Sequence, residues 1–176
     1  MRLVDRMIYI VSGLPGAGKS SVSYLMAKRF ARGVHIEADL VQQMILSGSV
    51  WPEWEPREEA ARQFRLRRRN VSMLADSFFE AGFTPVIDDI VIGAHIDEYV
   101  AVVSNRPLLF VMLVPAPEVI RAREASRGKR MFDKWAHLDD EARTPSSLGL
   151  WIDSSEMTAE ETVDAIFRDA QNAAIE

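Results

Sequence analysis

The eight residues Gly13-Leu14-Pro15-Gly16-Ala17-Gly18-Lys19-Ser20 constrain this chain more than any others. They match the spacing Gly-x4-Gly-Lys-Ser and lie between a short apolar run and a helix-like run. Glycines let successive backbone N–H groups turn inward around a phosphate with no Cβ in the way. A helix starting at Lys19 points the positive end of its dipole at the same anion. Lys19 is placed to reach the β- and γ-phosphates of a nucleotide, and the Ser20 hydroxyl to ligate Mg²⁺. Gly13, Pro15, Gly16, Ala17, Gly18, Lys19, Ser20 and Ser21 are therefore assigned to a phosphate cradle. The alternative is an ordinary glycine-rich turn, against which the strand before and the helix after both argue.

With 176 residues and roughly 150 per domain, one domain is expected. Hydrophobic residues make up 48% and charged residues 27%, which excludes collagen-like, disordered and coiled-coil classes. The 21 basic and 26 acidic residues leave a net charge of −5, which disfavours nonspecific binding to nucleic acid. There is no cysteine, so disulfides, thiolate metal sites and thiol nucleophiles are excluded. Three histidines, His35, His95 and His137, make a multi-histidine metal site improbable. No apolar run approaches the ~20 residues of a membrane span. The apolar residues after Met1–Arg6 are too few for the core of an export signal, so a cytoplasmic protein with no membrane partner is expected.

Apolar runs alternate with longer amphipathic ones, the pattern of an α/β fold with a parallel sheet. Strands are predicted at 7–11, 34–38, 83–88, 107–114 and 149–153. Helices are predicted at 19–32, 39–46 with Asp39 as N-cap, 57–81, 95–104, from 118, and 158–174. The long helix at 57–81 repeats Phe64, Val71, Leu74, Ala75 and Phe78 on one face. In the last helix, Thr158 and Glu161 have capping-box spacing. The third strand ends in Asp88-Asp89, where a carboxylate can face a phosphate crevice and hold Mg²⁺. Alternation puts the two acids on opposite faces; Asp88 is favoured as the metal ligand, and the other acid can simply cap a turn.

The phosphate loop, Glu37-Ala38-Asp39, the 81–89 segment, Ser126-Arg127-Gly128-Lys129-Arg130 and Leu150–Ser155 together resemble small P-loop kinases. The chain is similar to the chloramphenicol phosphotransferase-like family, a branch near the zeta toxins, gluconate kinases and polynucleotide kinases. The resemblance implies a single-domain P-loop NTPase spanning 1–176, with a five-stranded parallel sheet in the order 2-3-1-4-5 and helices on both faces. It further implies transfer of the γ-phosphoryl group of ATP, with Mg²⁺, to a small-molecule hydroxyl. Asp39 would then accept the hydroxyl proton, a role compatible with capping a helix. Residues 121–134 would form a lid, with Arg127 and Arg130 on the phosphoryl group and Arg123 as the next candidate. A solvated charge run is the alternative. Residues Asp153–Ser155 would lie near the adenine. Several related kinases carry an arginine three or four residues after the aspartate; Gln42 and Gln43 stand there in this chain.

Acceptor identity should reside in residues 39–64 and in the lid. Trp51 and Trp54 could wall the pocket or merely fill core. Arg62, Arg65 and Arg69 share one helical side, and with Arg67 and Arg68 could form a groove for an anionic acceptor. Their alternative is a solvated face paired with Glu55, Glu58 and Glu59. Beside the small-molecule kinase stand a polynucleotide 5′-hydroxyl kinase, which the net charge disfavours, and a non-catalytic nucleotide-gated module.

Overall fold

A computed structural model describes residues 6–51, 56–128 and 130–176. Five strands, β1 (Ile8–Gly13), β2 (Gly33–Glu37), β3 (Thr84–Asp88), β4 (Leu108–Leu113) and β5 (Leu150–Ile152), form one sheet in the order β2-β3-β1-β4-β5. Every neighbouring pair is parallel. The helices are α1 (Lys19–Arg29), α2 (Ala38–Gln43), α3 (Arg57–Glu80), α4 (His95–Val102), α5 (Pro117–Ala125), α6 (Phe132–Trp135), α7 (Asp139–Arg143) and α8 (Ala159–Asp169). The expected α/β architecture and strand order are those found.

Alternation along the strands builds two cores. Ile8 and Ile10 of β1, with Ile87 and Phe110, face α3 and α4, where Val71, Ala75 and Tyr99 complete the packing. Tyr9 and Val11, with Val86 and Val111, face α1 and α8, meeting Val22, Met26, Val163 and Ile166. Because both faces are covered, the central strands are apolar at nearly every position. This arrangement aims the C-terminal ends of β1, β2 and β3 at one edge, where the crevice of an open α/β sheet lies.

Several boundaries differ from expectation, each for a local reason. Helix α2 starts at Ala38 with Glu37 as its N-cap, so Asp39 is in the first turn rather than at the cap. Glu37 is still extended and paired in register with Asp88, which holds the strand one residue short of Asp39. Helix α8 does have the Thr158–Glu161 capping box but stops at Asp169. Beyond it Ile175 pairs antiparallel with Leu108, both backbone bonds being made, and a further turn of helix would forfeit that pairing. Helix α3 is rolled relative to the predicted face: Val71, Ala75 and Phe79 are buried, whereas Leu74 and Phe78 are exposed. Arg67 and Arg68 are buried along with Val71 and Ala75.

Gly33 joins α1 to β2 at a point of close approach. A Cβ there would lie 1.8 Å from the Ala27 carbonyl oxygen. Backbone rather than a flexible side chain would have to give way, so Gly33→Ala is expected to cost at least about 3 kcal/mol. Urea denaturation measures this, and an unshifted midpoint would contradict the close approach.

Candidate active site

The phosphate loop is built by what precedes and follows it. Gly18, at φ 104°, leads into α1 with no side chain capping the helix, which leaves its first N–H groups free for an anion. Gly16 has φ 82°, and a Cβ there would come within 2.7 Å of the Ile120 side chain. Lys19 curls back, its Nζ donating to the Leu14 carbonyl at 3.4 Å. Pro15, Gly16, Gly18, Lys19, Ser20 and Ser21 line a cavity of about 420 Å³. Gly13 and Ala17 do not line it: Gly13 closes β1 against Leu113, and Ala17 is buried, donating its N–H to Leu14.

Asp88 ends β3 beside this loop. With Lys19, Ser20, Glu37, Asp39, Asp89 and Ile90 it lines an adjoining recess of about 60 Å³. Burial pushes its carboxyl up. The neighbouring His35 imidazole, the Lys19 charge and the nearby Ser20 hydroxyl outweigh that push and hold it below the usual carboxylate value. His35 Nε2 lies 3.9 Å from Asp88 Oδ2. The Ser20 hydroxyl and Asp88 carboxylate are hard oxygen donors next to a phosphate cradle, a donor set that fits Mg²⁺. Among the described residues no group of three or more His, Asp or Glu could hold a metal alone. That suits an ion completed by phosphate oxygens and water.

The Asp39 side of the cavity is organised by a residue that the sequence pattern left among the solvated arginines. Arg67, only 3% exposed, donates through Nη1 to Asp39 Oδ1 at 3.1 Å and through Nη2 to Asp89 Oδ1 at 2.6 Å. Asp89 is 1% exposed and also accepts the Ile90 N–H at 2.8 Å, whereas Asp39 remains 63% exposed toward the cavity. Burial raises the Asp89 carboxyl to about 6, against the pull of Arg67, the Ile90 amide and Arg68. Arg68 is itself pulled below its usual value by burial; it packs over the Phe64 ring at 4.2 Å, and its Nη1 lies 3.7 Å from Glu98. A cue was available: Arg67 lies four residues from Val71 and eight from Ala75, in the middle of the buried stripe. The doubt raised by Gln42 and Gln43 is answered locally: Gln42 is buried and bonds Gln63 and Val50, and the arginine beside Asp39 comes from α3.

Trp51, Phe64, Ile90, Met131 and Trp135 complete the cavity wall, together with Glu124 and Arg127. Glu124 accepts the N–H groups of Met131 and Phe132 at 2.9 and 3.0 Å, tying the end of α5 to the start of α6. Arg130 is exposed and does not line the cavity. Arg123 turns to the backbone carbonyls of Ala17 and Ser154, joining the phosphate loop to the 153–157 loop. Arg121 pairs with Asp133 at 3.0 Å. Arg62 is taken by Glu59 at 2.7 Å, as a solvated face would have it. The expectations for Trp54, Glu55 and Lys129 lie outside the described residues.

Removing Arg67 would strand the buried Asp89 carboxylate. Arg67→Ala is expected to cost about 3–5 kcal/mol, and Arg67→Ala/Asp89→Ala less than the single change. Chemical denaturation of the three proteins measures this. Equal stability of Arg67→Ala and the parent would mean that the pair is not desolvated.

The sequence profile of the chloramphenicol phosphotransferase-like proteins matches residues 6–171. A curated relative, the UPF0200 protein of Aeropyrum pernix, is 29% identical over 151 residues, covering 84% of this chain and 78% of its own. Among solved structures, the APS kinase of Mycobacterium tuberculosis, in complex with AMPPNP and APS, superposes with a TM-score of 0.70 at 15% identity, covering 94% of this chain and 97% of its own. An unliganded sugar kinase from Janibacter sp. HTCC2649 gives 0.69 at 15% identity, covering 94% of each chain. Shikimate kinase from Aquifex aeolicus gives 0.63 at 18% identity, covering 94% of this chain and 97% of its own. The fold is thus that of P-loop kinases, and the profile match over nearly the whole length places the chain in the chloramphenicol phosphotransferase-like family.

Proposed function

We propose that this protein transfers the γ-phosphoryl group of ATP to a hydroxyl of a small molecule. The observation that carries the reading is a single cavity lined by the Lys19–Ser20 loop, the Asp39 carboxylate and Arg127. The family's name and the kinase fold support it. Mg²⁺, which Ser20 and Asp88 would hold, would supply positive charge that offsets charge on the phosphates. The acceptor oxygen forms a bond to the γ-phosphorus while the bond to the β–γ bridging oxygen breaks, releasing ADP. Asp39 orients the acceptor hydroxyl and takes its proton late, as suits a loose transition state. Arg67 holds one Asp39 oxygen, leaving the carboxylate directed by a fixed partner rather than free to rotate.

Lys19 stabilises charge on the transferring group. Arg127 does so from the 121–134 segment, which we read as the lid, and Arg130 is assigned to the same segment for the closed state. The walls of Trp51, Phe64 and Trp135 offer flat apolar faces to the acceptor. A polynucleotide acceptor would need unpaired cations beside Asp39. Arg67, the cation on Asp39, is held by two carboxylates, which speaks against it.

A ³¹P or mass-shift screen of ATP against hydroxylated metabolites, sugars, antibiotics and a 5′-hydroxyl oligonucleotide tests the reading directly. Phosphorylation of one small acceptor is expected; slow hydrolysis unaffected by every acceptor would favour a nucleotide-gated module. Lys19→Ala is expected to lower turnover on the order of 10²–10³-fold. Asp39→Asn should retain ATP affinity while depressing transfer; a matching loss of both would make Asp39 structural. Arg127→Ala should slow transfer at saturating ATP, and an unchanged rate would return that residue to the solvated surface.

A further inference from the structure

We propose that Tyr99, which lies outside the cavity wall, is a positioning residue for Asp39: its hydroxyl fixes Asp89, Asp89 fixes Arg67, and Arg67 fixes Asp39. The inference rests on the reading of Asp39 as the group that receives the acceptor hydroxyl. Tyr99 lies on α4, is fully buried, and lines neither the cavity nor the recess beside Asp88. As a plug in the apolar core, a phenylalanine would fill the same space. The hydroxyl calls for a reason, because a buried hydroxyl with no partner is unfavourable. Among the described residues, the Tyr99 hydroxyl and Asp89 Oδ2 are both buried, and neither makes a hydrogen bond.

These two atoms are a donor and an acceptor in one buried cluster, and each supplies what the other lacks. Burial, and after it the Asp89 charge, push the Tyr99 phenol well above its usual value, so the hydroxyl keeps the proton it donates. Asp89 Oδ1 is already taken, accepting from Arg67 Nη2 at 2.6 Å and from the Ile90 N–H at 2.8 Å. Oδ2 is the oxygen left to set the rotation of the carboxylate. At the next link, Arg67 Nε has no hydrogen-bond partner among the described residues. The guanidinium is held by its two terminal nitrogens and by the Phe64 ring, 4.4 Å away. Arg68 packs into the same cluster, 4.2 Å from the Phe64 ring and 5.7 Å from the Tyr99 ring. A swing of Asp89 is therefore passed to Arg67, and from its Nη1 to Asp39 Oδ1 at 3.1 Å. Asp39 is the carboxylate that meets the acceptor, and a misplacement of about 1 Å from a remote change can cost about 10²-fold in rate.

The test joins kinetics to a measurement that needs no turnover. Tyr99→Phe removes one oxygen and keeps the ring, and its thermal midpoint verifies that it folds. With an acceptor that the native chain phosphorylates, Tyr99→Phe is expected to lower kcat about tenfold. The KM for ATP and the affinity for ADP should not change. In an Asp39→Asn background the same change should have no further effect, because the carboxylate being positioned is gone. A full further loss there would make Tyr99 a structural residue and overturn the proposal. The second arm is NMR of the full chain labelled with ¹⁵N-arginine, with the Arg67 signals assigned by their loss in Arg67→Lys. A guanidinium held at both terminal nitrogens gives resolved Nη–H signals, which Tyr99→Phe should broaden. Identical Arg67 signals in the native chain and in Tyr99→Phe would also overturn the proposal. If the native chain phosphorylates no acceptor, the phosphotransfer reading fails by itself, and the Arg67 signals alone decide the network.

Discussion

The Asp39 side of the cavity depends on one buried cation. Arg67 extends from the middle of α3 to a carboxylate on α2 and another just beyond β3. Taking a guanidinium and Asp89 out of water costs several kcal/mol per ion, and removing one partner of such a buried pair costs about 3–5 kcal/mol. The cost is offset only if both carboxylates stay where they are. Arg67 thus sets α2, α3 and the end of β3 in one mutual position. Arg67 and Asp89 are 3% and 1% exposed, so losing either partner would leave a charge buried alone, the larger penalty.

What the sequence makes legible follows from how local each determinant is. The phosphate loop is eight contiguous residues whose glycines and lysine carry their own conformational logic, and the structure places Lys19 and Ser20 at the cavity it implies. The strands are readable because burial on both faces makes them nearly all apolar. Arg67 is harder to read. On its own helix it belongs to a run of arginines, and what distinguishes it from Arg62 is a carboxylate 22 residues away in sequence. The end of α8 is similar: nothing in Ala170–Ala174 opposes a helix, and the chain leaves it because Ile175 finds Leu108 across the fold. Asp39 lies between the two cases. Its place next to a strand end is local, but its shift from cap to first turn is decided by the Glu37–Asp88 register.

Charge is distributed as the chemistry requires. The chain carries a net −5, yet Lys19 and Arg127 both line the cavity at the loop. Deeper in, the cations are already matched: Arg67 by two carboxylates and Arg68 by Glu98. The result is an uneven layout, with Lys19 and Arg127 where phosphates would lie and aromatic walls where an acceptor would enter. A transferring phosphoryl group needs stabilisation at the first position and exclusion of water at the second.

Helix α3 connects these features because its two sides have separate tasks. Residues 67, 68, 71 and 75 face inward, where they fix the carboxylates and seal the core; residues 66, 73 and 74 face outward. The groove on the outer side is also lined by Gln42 and Arg67, so it lies directly behind the Asp39 side of the cavity. The position of this helix decides whether Arg67 reaches Asp39 and Asp89 together, so the outer face and the cavity share one determinant.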